Sequence, residues 1–87
     1  MSLEQNFQSA TERVKQLRET PSNDVLLDLY GLFKQATEGD VSGKRPGFTN
    51  PVGRAKYDAW AALEGSSPDD ARAQYIAMVD ELVAAEG

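Results

Sequence analysis

The sequence contains neither cysteine nor histidine. The lack of cysteine excludes disulfide bonds, thiolate metal sites and a cysteine nucleophile. The lack of histidine removes the side chain that most often serves as a general base or a metal ligand. The longest apolar run, Ala59–Leu63, is far too short to span a bilayer, and Met1–Gln5 lacks the pattern of a signal peptide. We therefore expect a cytoplasmic protein without a metal site.

The charge of the chain is distributed unevenly. The 87 residues provide room for one domain, residues 1–87, and the net charge of −5 argues against general nucleic-acid binding. Residues 34–56 nevertheless carry five basic and two acidic side chains, net +3, whereas residues 57–87 have a net charge of −6. The basic segment is either a solvated loop or a positive wall for a small anionic ligand.

Apolar residues recur every three or four positions in four segments, which predicts four helices and no strands. Ser2 caps the first helix, and Pro21 ends it because the residue before a proline is disfavoured in a helix. The second helix follows Ser22 and stops at Gly39. About a dozen residues without any period follow, and a loop of that length is often functional.

The second half of the chain has two strong helix starts. Asn50 precedes Pro51, so the third helix is predicted to run from there to about Leu63, with Val52 among its inward residues. The fourth helix starts after Ser67, where a proline and two acidic residues follow the cap.

The second helix carries a group of residues suited to a phosphorylated aromatic ligand. Tyr30 and Lys34 are four positions apart and share a face, with Phe33 beside them. An aromatic ring stacks on a base, a phenol donates to phosphate, and lysine supplies positive charge. The other interpretation is that both aromatics are core residues and that Lys34 only extends from the core to solvent.

The third helix begins with Arg54 and Lys56, which is unfavourable for the helix dipole unless an anion binds nearby. The alternative is a solvated pair of charges. Trp60 is interpreted as a core residue. Tyr75 lies on the apolar side of the fourth helix, and its hydroxyl needs a partner if it is buried.

The sequence resembles the acyl-CoA-binding protein family, also called diazepam-binding inhibitor, along essentially its whole length. The resemblance rests on residues 26–40 (LLDLYGLFKQATEGD), 45–47 (RPG) and 53–60 (GRAKYDAW). It implies an all-α, four-helix up-down-down-up bundle with a long loop between helices 2 and 3. Tyr57 departs from a tryptophan that is usual in the family, and Arg54 from a common lysine.

The resemblance also implies roles for individual residues. Tyr30, Lys34 and Lys56 match residues that hold the 3′-phosphate of coenzyme A. Phe33 matches a residue that lies against the adenine, and Lys15 matches a basic residue that contacts the coenzyme A moiety. Before the ligand binds, we expect the two lysines of the phosphate site to repel each other.

The remaining positions that match the family concern the acyl chain and its groove. Leu27 matches a position beside the chain, and Tyr75 matches a tyrosine of the groove. Gly31 and Leu32, inside the same run, are included among the predicted binding residues. We expect Leu27 and Tyr75 to line one groove between helices.

The function implied is non-catalytic binding, buffering and transport of medium- and long-chain acyl-CoA esters, with no cofactor. We expect a monomer that does not insert stably into membranes and that makes transient contacts with enzymes using acyl-CoA. The alternative function is a helical protein-interaction module without a small ligand, whose acidic fourth helix binds a basic partner. That alternative leaves the aromatic and lysine residues of the second helix unexplained.

Overall fold

The structure, a computed structural model, describes residues 2–87 and contains only helices as regular elements within that range. The helices are α1 (Leu3–Arg13), α2 (Asn23–Glu38), α3 (Pro51–Ala61) and α4 (Pro68–Glu86), and one 3₁₀ turn (Val14–Gln16) follows α1. The predicted all-α fold is confirmed. None of these helices combines the length and the apolar character needed to cross a bilayer.

Each helix starts at the cap that the sequence predicted. The Ser2 side chain accepts a hydrogen bond from the Gln5 N–H, and the Gln5 side chain accepts one from the Ser2 N–H. These reciprocal bonds satisfy two N–H groups that would otherwise lack partners. Single side-chain caps begin the other three helices, at Ser22, Asn50 and Ser67.

The first helix ends earlier than predicted. α1 stops at Arg13, and Leu17 is already extended, with φ −60° and ψ 137°. Contacts with the end of α4 explain the difference. The Glu19 N–H donates to the Glu86 carboxylate at 3.1 Å, and the Arg18 guanidinium donates to the Glu86 carbonyl at 3.3 Å. The extended segment thus pairs with one of the last carbonyls of α4, which have no partner inside the helix.

α3 also ends earlier than predicted, at Ala61 rather than near Leu63. The N–H groups of Leu63 and Glu64 donate to carbonyls three residues back, and this turn closes at Gly65 with φ +91°. Val52, which was expected to face inward, is 65% exposed. The Val52 side chain stays exposed because, among the described helices, α3 packs only on α2.

The main core lies between α1, α2 and α4. α4 packs against both α1 and α2. α1 and α4 are parallel, since Phe7 contacts Tyr75 and Arg13 pairs with Asp80 further along both helices. The buried residues of the core come from these three helices: Phe7, Ala10, Leu29, Leu32, Ala36, Ala71, Tyr75 and Val79.

α2 and α3 are parallel neighbours. Lys56 lies over the Tyr30 ring, and four residues further along both helices Lys34 lies over the Trp60 ring. Two parallel helices cannot be joined by a short turn, because the chain must return along the length of α2, about 24 Å for its 16 residues. The long loop between α2 and α3 is therefore required by the topology.

The end of α2 is held beside the start of α4. The Gln35 amide donates to the Ser66 carbonyl at 2.8 Å and to the Asp40 carboxylate at 2.9 Å. The Gly65 N–H donates to the same carboxylate at 2.8 Å. The bonds from Gly65 and Gln35 lower the pKa of Asp40. α2 is thus antiparallel to α4, which completes the up-down-down-up arrangement.

The long loop is fixed to the outer side of α3. The Trp60 indole N–H donates to the Gly39 carbonyl at 2.7 Å, and the Arg45 guanidinium donates two bonds to Asp58 at 2.8 and 2.7 Å. The bonds between Arg45 and Asp58 lower the pKa of Asp58 and raise that of Arg45. A further bond joins the Tyr57 hydroxyl to the Gly43 carbonyl at 3.2 Å.

Candidate functional site

Two apolar grooves lie side by side along α2. The α1–α2 groove has a volume of about 510 Å³ and is lined by Phe7, Gln8, Thr11, Val14, Lys15, Leu26, Leu29, Tyr30, Phe33, Thr37 and Tyr75. The α2–α3 groove has a volume of about 440 Å³ and is lined by Asn23, Leu26, Leu27, Tyr30, Pro51, Val52, Ala55 and Lys56. Leu26 and Tyr30 line both grooves, so they form the ridge where the grooves meet.

The α1–α2 groove has an aromatic wall. The Phe33 ring stacks on the Phe7 ring at 5.9 Å, and the Tyr75 ring meets Phe7 edge-on at 5.1 Å. Phe33 is still 40% exposed, so its ring offers a supported surface on which another planar ring can stack. Burial raises the pKa of Tyr75, which keeps its hydroxyl protonated as a donor. Lys15 adds a positive charge to the groove lining.

The α2–α3 groove combines an apolar floor with one ammonium group. Leu26, Leu27 and Val52 are among its apolar lining residues. The Lys56 ammonium lies 5.4 Å from the centre of the Tyr30 ring, a distance at which cation and ring attract each other. A phenol and a positive charge therefore stand together beside an apolar channel, which suits a ligand with an anionic head and an apolar tail.

Lys34 lies outside the lining of both grooves. Its ammonium is 5.0 Å from the centre of the Trp60 ring and forms an ion pair with Glu38. The hydrogen bond to Glu38 is the largest of the effects that raise the pKa of Lys34. The positive charge of Lys34 is therefore paired with Glu38 in this structure, and the repulsion expected between Lys34 and Lys56 stays a prediction.

Gly31 and Leu32 lie at helix interfaces and line neither groove. A Cβ atom on Gly31 would be 2.6 Å from the Ala59 carbonyl oxygen, so this glycine is what lets α2 and α3 approach closely. Leu32 belongs to the core shared with α1 and α4 and is 6% exposed.

Leu27 lines the α2–α3 groove and Tyr75 lines the α1–α2 groove, so the structure places these two residues on opposite sides of the ridge. Leu26, whose spacing fits the apolar face of α2, is 39% exposed on the ridge. Its position one turn before Tyr30 could have indicated that both share the same open face.

Other predicted residues have structural roles. Trp60 is buried, as predicted. Arg45, one of the basic residues in the middle segment, is held by Asp58 and contributes to fixing the loop. Within residues 2–87 there is no cluster of acidic side chains that could hold a metal ion.

The structure is thus a helical bundle with two apolar grooves that meet beside a positive charge. Residues 4–79 match the family model described as acyl CoA binding protein. The chain belongs to this family.

Similar proteins match the chain over nearly its full length. The acyl-CoA-binding protein of Brassica napus is 50% identical over 86 residues, which cover 99% of this chain and 94% of that protein. The acyl-CoA-binding protein of Dictyostelium discoideum is 46% identical over 76 residues, covering 87% and 90% of the two chains.

Solved structures agree with the fold. The crystal structure of Oryza sativa acyl-CoA-binding protein 2 superposes with a TM-score of 0.93 at 45% identity and covers 97% of this chain and 91% of the rice chain. The protein from Moniliophthora perniciosa gives a TM-score of 0.89 at 38% identity, with coverage of 98% and 83%.

Proposed function

We propose that this protein binds acyl-CoA esters without catalysis and so buffers and carries them. The observation that carries the proposal is the convergence of two apolar grooves at Tyr30, with Lys56 over its ring on one side and the exposed Phe33 ring on the other. A coenzyme A thioester combines a purine, a phosphomonoester and an apolar chain, and each part has a chemically matched partner here. The alternative, a protein-interaction module, leaves both grooves without a role.

The head of the ligand is proposed to bind around α2. Tyr30 and Lys56 receive the 3′-phosphate, which carries about −1.5 to −2 charges at neutral pH. Lys34 is proposed to reach the phosphate only after it releases Glu38, because it is paired with Glu38 and lines neither groove in this structure. The adenine stacks on the Phe33 ring, and Lys15 contacts the coenzyme A moiety from the other side of the α1–α2 groove.

The acyl chain is proposed to occupy the α2–α3 groove, where Leu27 lies with Leu26, Val52 and Ala55. Each buried methylene contributes about 0.8 kcal/mol, which corresponds to about a fourfold gain in affinity for each carbon. Tyr75 lines the other groove, and its hydroxyl is proposed to donate to the polar linker between head and tail.

We further propose that residues 1–87 act as one binding domain, as a monomer, in the cytoplasm. Contacts with enzymes that use acyl-CoA are proposed to be transient, and neither nucleic acid nor stable membrane insertion is part of the function.

Thermal unfolding with ligand tests the proposal. A ligand that binds only the folded state stabilises it by about 2.7 kcal/mol at a hundredfold excess over Kd. Palmitoyl-CoA should therefore raise Tm strongly, coenzyme A weakly, and palmitate hardly at all. An unchanged Tm in excess palmitoyl-CoA would exclude this function, whereas an equal rise with palmitate would mean that the grooves bind apolar chains irrespective of the head.

A further inference from the structure

Glu38 holds Lys34 away from the proposed ligand site. The two residues are four positions apart on α2, and the Lys34 ammonium bonds to the Glu38 carboxylate while it lies over the Trp60 ring. The Lys56 ammonium, in contrast, stands over Tyr30 at the meeting point of the grooves. In this structure, therefore, one lysine of the proposed phosphate site is at the site and the other is bound to an internal anion.

The Lys34–Glu38 pair is poorly placed to stabilise α2. A lysine that precedes a glutamate by four residues is the less favourable order for such pairs on a helix. Glu38 is also the last residue of α2, where a negative charge meets the negative end of the helix dipole. Its side chain is about half exposed. Helix stability thus does not account for a carboxylate at this position.

We propose that Glu38 is an internal competitor for Lys34, which the 3′-phosphate of the ligand displaces when it binds. This inference rests on the proposed function. A phosphomonoester has up to twice the charge of a carboxylate and three acceptor oxygens, so it can replace Glu38, whereas a weaker anion cannot. Glu38 therefore lowers the affinity for ligands that engage Lys34, which are those with the 3′-phosphate, and leaves the affinity for ligands without that group nearly unchanged.

Calorimetric titration of Glu38→Gln tests the proposal. The variant keeps the size of the side chain and removes the charge, so palmitoyl-CoA should bind about three- to tenfold tighter than to the wild type. The 3′-dephospho analogue should show little gain. In a Lys34→Ala background, Glu38→Gln should give no gain, because the competition requires Lys34.

Asp28→Asn is the matched control, since Asp28 is an exposed carboxylate on the same helix and lines neither groove. An equal gain in this control would show a general effect of net charge and overturn the proposal. Equal affinities of Glu38→Gln and wild type for palmitoyl-CoA would also overturn it. If the wild type does not bind palmitoyl-CoA at all, the proposed function itself fails, which is a different result.

A second readout does not depend on affinity. Trp60 is the single tryptophan of the chain and lies beside the Lys34 ammonium. Release of Lys34 from Glu38 should change the Trp60 emission, both in ligand-free Glu38→Gln and in the wild type on binding palmitoyl-CoA. Emission that is identical in the ligand-free wild type and Glu38→Gln would mean that Glu38 does not determine the position of Lys34.

Discussion

The Lys56 ammonium lies 5.4 Å from the centre of the Tyr30 ring and so joins α3 to the ridge between the two grooves. This contact brings together two residues that are 26 positions apart in the sequence. It places a positive charge and a phenol together at the meeting point of the grooves.

Replacing this charge should weaken binding with little effect on folding. Lys56→Ala and Lys34→Ala should each reduce the affinity for acyl-CoA by about 1.5–3 kcal/mol, the range for a hydrogen bond to a charged group. Titration calorimetry measures the loss, and Tm should change little. Lys44→Ala, which removes an exposed lysine of the loop, is the control, and an equal loss there would show that only the overall charge matters.

Gly31→Ala should separate α2 from α3. The added Cβ would meet the backbone of Ala59 at 2.6 Å, and a backbone carbonyl cannot move aside as a side chain can. We expect the free energy of unfolding to fall by about 1–3 kcal/mol and acyl-CoA binding to weaken, because α3 carries Lys56. Chemical denaturation measures the first effect. Gly47→Ala has open space around its Cβ and should be nearly neutral; equal losses in the two variants would contradict the packing role of Gly31.

Acid should weaken the attachment of the long loop. The pKa of Asp58 is lowered by Arg45, and that of Asp40 is lowered by bonds from Gly65 and Gln35. A carboxylate with a lowered folded-state pKa stabilises the protein fully above its unfolded value, near 3.9, and this contribution disappears as the pH falls through the folded value. Stability should therefore decline below about pH 4. Thermal melts from neutral pH downward should show a shallower decline in Asp58→Asn than in the wild type, and parallel curves would refute this source of acid sensitivity.

Filling the α2–α3 groove should remove the contribution of the acyl chain. Ala55→Phe adds a ring inside this groove. The affinity of the variant for palmitoyl-CoA should fall to about its affinity for coenzyme A, whereas its affinity for coenzyme A should stay close to that of the wild type. Ala62→Phe places the same ring at an exposed position after α3 and serves as the control. A selective loss of coenzyme A binding in Ala55→Phe would mean that this groove receives the head instead.

The helix starts could be predicted from the sequence because caps are local. Ser2, Ser22, Asn50 and Ser67 each accept a hydrogen bond from an N–H three residues ahead. The end of α1 could not be predicted, because it depends on bonds from residues 18 and 19 to Glu86, at the far end of the chain.

The candidate site was predictable in its residue types but not in its shape. The aromatic and basic residues on α2 follow from helical spacing, whereas the division into two grooves depends on how α3 and α4 pack on either side of that helix and on where α4 holds α1. Leu26 is the clearest case, since its spacing fits the core and only the packing leaves it on the ridge. The Lys34–Glu38 pair, in contrast, follows from a spacing of four and was visible in the sequence.

Titration of the wild type with palmitoyl-CoA and with its 3′-dephospho analogue tests the central claim most directly, because the two ligands differ only in the group assigned to Tyr30, Lys34 and Lys56. If α2 and α3 recognise the phosphate while the α2–α3 groove holds the chain, the analogue should bind about ten- to a hundredfold more weakly, with the chain-length dependence unchanged. Equal affinity for the two ligands would contradict the account, since the lysines and the tyrosine would then have no part in recognising the head.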